Sequence, residues 1–143
     1  MVMEAAIVEQ QGLVESLLAE TQANLQFFFS QLDTRSVSQL IDSLLVLQGT
    51  IFLSGVGKSG IVAKKIAVTM SSSGTKALFL SPLNALHGDI GLVVPGDAML
   101  FFSKSGETDE LLHLCPAIRN KGAHLIAVVS SPDSRLAKAC DSS

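Results

Sequence analysis

The stretch TIFLSGVGKSGIVAKKIAVTMSSSGT, residues 50–75, decides how the rest of the chain is read. A short apolar strand over 51–54 runs into three glycines, Gly55, Gly57 and Gly60, and a helical pattern over 61–70 opens directly behind them. Without Cβ atoms, these glycines let several backbone N–H groups converge on one anion at the helix N-terminus, where the macrodipole also favours negative charge. The segment therefore points to a phosphate compound.

The same unit recurs downstream. A second strand is expected over 76–80, ending at Ser81 and Pro82. A third, over 97–102, runs into Ser103-Lys104-Ser105-Gly106 and a helix over 107–120. After Gly122 a fourth strand covers 123–130, and Pro132 and Asp133 start a last short helix. Strands without polar alternation, separated by helices, form a parallel sheet covered on both faces. The expected fold is α/β, doubly wound, with right-handed crossovers. Ligands bind such sheets beyond the carboxyl ends of the strands, where the strand order reverses. Both Ser/Gly loops belong to that edge.

Two helices precede the sheet. From Val14 onward, Val14, Leu17, Leu18, Leu25, Phe28, Phe29 and Leu32 keep the three-and-four spacing of one helical face, and a long amphipathic helix is expected over 4–31. Asp33, Thr34 and Ser36 offer caps for a second helix carrying Val37, Leu40, Ile41, Leu44 and Leu45, with Gly49 as its stop. The first stripe, with consecutive Phe27, Phe28 and Phe29, is wider than a lone helix leaves in water. It is expected to lie on the domain or on another subunit, and a homo-oligomer, dimer or tetramer, is expected. The chain stops at Ser143, just past a helix, where such a sheet would usually add a strand. The sequence is accordingly read as lacking the last strand.

Composition narrows the class. The chain has 143 residues, the size of one domain, and is 48% hydrophobic without Trp or Tyr, so aliphatic side chains must build its core. The first 34 residues hold five acids and no Lys or Arg, and the remainder is slightly basic. No basic stripe with interleaved aromatics is present, which argues against a nucleic-acid partner. The acidic N-terminus lacks a signal-peptide n-region, and no apolar run approaches the ~18 residues that span a bilayer. Cys115 and Cys140 have neither metal-ligand spacing nor the density of a secreted scaffold. The reading is a soluble protein of the cytoplasm, with no metal and no cofactor. Cys115 is taken as packed and unreactive, with no basic neighbour to lower its pKa.

The fingerprint itself has to be tested. Gly55-Val56-Gly57-Lys58-Ser59-Gly60 fits G-x-G-x-x-G between a strand and a helix, but the acid that would hold a ribose is missing: no Asp or Glu occurs between Asp42 and Asp89. A P-loop fails as well, because Phe52 stands where its first glycine belongs. In the second loop the hydroxyls of Ser103, Ser105 and Thr108 and the Gly106 backbone surround another helix start, which suits a phosphate monoester. Ordinary capping by Ser105 is the competing explanation for that loop alone.

GVGKSG, SSSGT, HGDIG and SKSGETDE, in this order and spacing, resemble the sugar isomerase (SIS) domain, most closely that of arabinose-5-phosphate isomerases. The resemblance runs from the N-terminal helices to the chain end. Lys58 together with His87-Gly88-Asp89 is specific to that branch, whereas SGET marks the wider group. It implies residues 1–48 as N-terminal helices and 49–143 as a SIS domain, incomplete at its C-terminus. It also implies a phosphosugar site with Gly57, Ser59, Ser103, Ser105, Gly106 and Thr108 at the phosphate, and Lys58, His87 and Glu110 as catalytic candidates. The implied reaction interconverts ribulose 5-phosphate and arabinose 5-phosphate without nicotinamide; further family candidates, a glutamate and a histidine, belong beyond Ser143. Isomerisation needs a base, a proton donor and a partner for the enediolate, and His87, Glu110 and Lys58 have that chemistry. A non-catalytic phosphosugar-binding module is the alternative.

Overall fold

The computed structural model describes residues 2–143, with side-chain environments from residue 9 onward. The chain divides into two compact units, one running to Ile41 and the other from Asp42 to Ser143. The first is helical. Helix α1 (Val2–Ser30) is followed by α2 (Thr34–Leu45), which crosses the boundary between the units. Asp33 starts α2, accepting the Arg35 N–H at 3.0 Å and the Ser36 hydroxyl at 2.6 Å. The Ser36 hydrogen bond, and after it that from Arg35, holds the Asp33 carboxyl below its ordinary pKa. Helix α2 ends at Leu45, ahead of Gly49. Gly49 has another reason to be glycine: a Cβ there would run into the Gly96 carbonyl and the Asp97 carboxylate. Asp97 is only 2% exposed, and its two oxygens accept the backbone N–H of Thr50 at 2.7 Å and of Val94 at 2.8 Å. It ties the entry of the first strand to the entry of the third.

The second unit is built on β1 (Ile51–Gly55), β2 (Ala77–Phe79), β3 (Ala98–Ser103) and β4 (His124–Val129). All pairings are parallel, in the order β2-β1-β3-β4. Phe52, Met99 and Leu125 stand at one register level, and with Phe101 and Ala127 they face a core completed by Leu111, Leu114, Ile118 and Leu136. Those last four come from α5 (Asp109–Asn120) and α6 (Arg135–Ala139), and Ala85 of α4 (Pro82–Leu86) joins them. Leu53 and Gly55 point the other way, onto α3 (Gly57–Ser72), where Ala63 and Ala67 are buried. Small residues on α3 let it lie close to the sheet. Helices thus cover both faces, the doubly wound α/β arrangement that uniformly apolar strands require.

From β1 the chain moves outward to β2, then returns to place β3 on the opposite side of β1. The order reverses between β1 and β3. The loops leaving their carboxyl ends are the two Ser/Gly segments, so both stand at the switch point. On the outer side of β4, Ser142 makes a parallel bridge to Ile126, and Asp141 N–H donates to the Leu125 carbonyl at 2.8 Å. No helix among the described residues is long and apolar enough to cross a membrane.

Candidate functional site

The glycine segment is a helix start rather than a free loop. Helix α3 begins at Gly57, four residues before the apolar periodicity announces it, so Lys58 and Ser59 occupy its first turn. Val56 stands at the cap position and has no side-chain oxygen to satisfy the first N–H groups. Those donors and the dipole are left for an anion. Gly57 takes φ +57°, a left-handed conformation natural to glycine.

The second segment is internally wired. Ser103 Oγ lies 2.8 Å from Thr108 Oγ1 and accepts the Gly106 N–H at 3.0 Å, while Ser105 Oγ accepts the Glu107 N–H at 3.2 Å. Thr108 precedes α5 without capping it through its hydroxyl. The hydroxyls expected around an anion are therefore gathered at one strand end, partly satisfying each other.

Between the two segments lies a cleft of about 300 Å³ lined by Lys58, Ser59, Val62, Phe102, Ser103, Lys104, Val128, Val129 and Ser130. Its charged lining residues are both lysines, one from each segment, and its floor is apolar. Positive charge, hydroxyls and helix N–H donors at one end, with apolar walls beside them, suit an anionic group on a small organic molecule. Ser130 N–H donates to the Lys104 carbonyl at 3.1 Å, which fastens the end of β4 to the loop after β3.

A family model for the SIS domain matches residues 44–143. The chain belongs to the SIS-domain family. Among its SIS relatives, arabinose 5-phosphate isomerase KpsF of Escherichia coli O6:H1 (strain CFT073) is 41% identical over 128 residues, 90% of this chain and 39% of that protein. A protein of Chlamydia pneumoniae without an assigned function is 44% identical over 127 residues, 89% of this chain and 39% of its own. The chain thus spans about two-fifths of the length of these relatives. Among solved structures, an E. coli CFT073 protein in complex with A5P superposes with TM-score 0.75 and 39% identity, over 78% of this chain and 60% of that one. A proposed phosphosugar isomerase involved in capsule formation, from Bacteroides fragilis NCTC 9343, gives TM-score 0.83 and 31% identity over 91% and 71%.

Within this SIS domain the sequence-derived site residues separate into three groups. Lys58, Ser59 and Ser103 line the cleft, and Gly57 opens the helix beside it. Ser105, Gly106 and Thr108 belong to the wired second segment and are not among the lining residues. His87 and Glu110 are exposed and do not line the cleft either. His87 is the C-terminal cap residue of α4, and Gly88 at φ +126° turns the chain into a 3-10 turn over Asp89–Leu92. Glu110 lies in the first turn of α5. The cleft also holds residues that no motif singled out, Lys104, Phe102, Val62 and the Val128–Ser130 segment. Lys104 sits inside SKSGETDE and so had a signal; the end of β4 had none, because its place depends on strand order.

Cys115 is buried as expected, but it does have a basic neighbour. The Cys140 side chain hydrogen-bonds to it and, with a smaller contribution from Arg119 one turn on, lowers its pKa, while the same partner and burial push the Cys140 thiol up. Among the described residues no group of three or more His, Cys, Asp or Glu is placed to hold a metal ion.

Proposed function

We propose that this SIS domain binds a sugar phosphate in the cleft between α3 and the β3–α5 segment and belongs to an aldose-ketose isomerase that interconverts ribulose 5-phosphate and arabinose 5-phosphate. The observation that carries the reading is the pairing of two lysines, Lys58 and Lys104, with the uncapped N-terminus of α3 in one cleft free of acidic lining residues. Similarity to a named arabinose 5-phosphate isomerase, and to a structure holding A5P, supports the choice of sugar. In this reading Ser59, Ser103, Ser105 and Thr108, with the Gly57 and Gly106 backbone, hold the phosphate. Lys58 neutralises the developing enediolate, and His87 and Glu110 exchange protons with the substrate carbons and oxygens. The protein acts in the cytoplasm as a homo-oligomer.

A non-catalytic phosphosugar-binding module is the second reading. What favours it is the position of His87 and Glu110 outside the lined cleft. One assay separates the two. Ribulose 5-phosphate turnover, followed in a version extended beyond Ser143 for the wild type and for Lys58→Ala, His87→Ala and Glu110→Gln, is expected to fall on the order of 10²-fold or more in each variant. Turnover unchanged in the variants would sink the residue roles, and binding of the sugar phosphate with no turnover in the wild type would select the module.

A further inference from the structure

The segment that approaches the anion cleft carries two carboxylates of its own. Glu107 and Asp109 follow Gly106, on either side of Thr108 and at the start of α5. Acids there complement the helix dipole, but they would also repel a phosphate held by Ser103, Ser105 and Thr108. Both are engaged by one residue from another element. Arg135, the first residue of α6, places Nε 3.2 Å from Glu107 Oε2 and pairs through its terminal nitrogen with Asp109 Oδ1. Its backbone N–H donates to Glu107 Oε1 at 3.0 Å.

The residues flanking Arg135 fasten the same segment. Leu136 N–H donates to the Gly106 carbonyl at 2.9 Å, and Ser134 lies so near Gly106 that a Cβ there would strike its side chain. Gly106 can accept this packing because it adopts φ +69° and has no side chain. Three consecutive residues at the start of α6 therefore grip residues 106–109.

The ion pairs are exposed, with Arg135 at 56%, Glu107 at 47% and Asp109 at 69% of side-chain surface. Pairs so exposed add little to folding stability. Their effect on a neighbouring anion is another matter. With Arg135 present the trio carries one net negative charge; without it the two carboxylates are uncompensated and free to swing toward the phosphate. A guanidinium suits this role because its planar fork engages two carboxylates in fixed directions.

We infer that Arg135 is a positioning residue of the anion segment, holding Glu107 and Asp109 on the α6 side and offsetting one of their two charges so that a phosphate can bind at Ser103–Thr108. This rests on the sugar-phosphate reading above. The test is calorimetric titration of the chain with arabinose 5-phosphate and, separately, with inorganic phosphate, for the wild type, Arg135→Ala, Arg135→Lys, Glu107→Gln/Asp109→Asn and the triple variant. Arg135→Ala is expected to weaken binding about tenfold while the melting temperature moves little, Arg135→Lys to fall between, and the triple variant to recover wild-type affinity to within about threefold. Recovery on removing the acids is what charge compensation requires. A clamp that only shapes the segment would lose more when its partners are changed too, so a triple variant no better than Arg135→Ala overturns the inference, as does unchanged affinity in Arg135→Ala. Wild-type binding of inorganic phosphate without the sugar phosphate would retire the sugar reading and leave the clamp to be decided by the phosphate series. Binding of neither would overturn both.

Discussion

Gly57 and Gly60 look alike in the sequence and serve different ends in the structure. Gly57 has open space around its missing Cβ, but sits at φ +57°. Gly60 is helical, and a Cβ on it would stand 2.5 Å from the Gly55 carbonyl oxygen. The first glycine is demanded by conformation, the second by the close approach of α3 to β1. Gly57→Ala is accordingly expected to cost about 1 kcal/mol. Gly60→Ala has to move a helix off a central strand and is expected to cost about 2–3 kcal/mol. Urea unfolding of the two variants checks the order, and equal losses would contradict it. The G-x-G-x-x-G pattern made the whole run legible as an anion loop, yet it could not apportion the glycines, since a side chain's missing contact is invisible until the strand and helix are docked. The same limit applies to the cleft. Lys58, Ser59 and Ser103 were legible because their own local motif places them at a strand end, whereas His87 and Glu110, equally embedded in motifs, stand away from the lining.

At the scale of elements, the apolar pattern placed the four strands and the longer helices to within a few positions, and the departures cluster where a helix starts. Helix α3 begins on Gly57-Lys58-Ser59, which carry no apolar periodicity, and α4 forms over Pro82–Leu86, too short a run for a period to show. What the pattern could not hold is how elements are fastened to one another. The outer edge of β4 is an example. Asp141 Oδ2 accepts the Leu125 N–H at 2.8 Å and lies 3.3 Å from His124 Nδ1, while Oδ1 accepts from the Arg119 guanidinium at 2.7 Å. Partial burial alone would raise the Asp141 pKa from 3.8, but the Leu125 N–H and the Arg119 charge outweigh it and the net shift is downward. A carboxyl depressed in the folded state contributes stability that is fully present above its unfolded pKa and is lost as pH falls through the folded value. The expected outcome is that Asp141→Asn costs on the order of 1 kcal/mol at pH 7, after allowing for solvent screening at this partly exposed pair, and that the difference from wild type vanishes at strongly acid pH. Urea midpoints measured from pH 7 down to acid denaturation test this, and a difference that stayed constant through the acid range would refute the assignment.

For the whole molecule, the strand order and the apolar surface pull in different directions. The sheet is satisfied: both faces are covered, and its core side chains are almost wholly removed from water. Helix α1 is not. Leu13, Val14, Leu17, Leu18, Leu25, Phe27, Phe28 and Phe29 are between 53% and 68% exposed. Each phenylalanine offers roughly 150–250 Å² of burial, and an apolar stretch this long exceeds what a soluble monomer leaves in contact with water. A second copy of the chain is the covering surface the proposed homo-oligomer supplies. Light scattering at micromolar concentration is expected to give a mass that is a multiple of 15.0 kDa. Leu17→Ser combined with Phe28→Ser is expected to shift that mass toward the monomer, while the α/β unit keeps its cooperative unfolding because its core draws on β1–β4, α3, α5 and α6. A wild-type mass of one chain would remove the oligomer from the proposal. An oligomer unaffected by both serines would move its interface off α1.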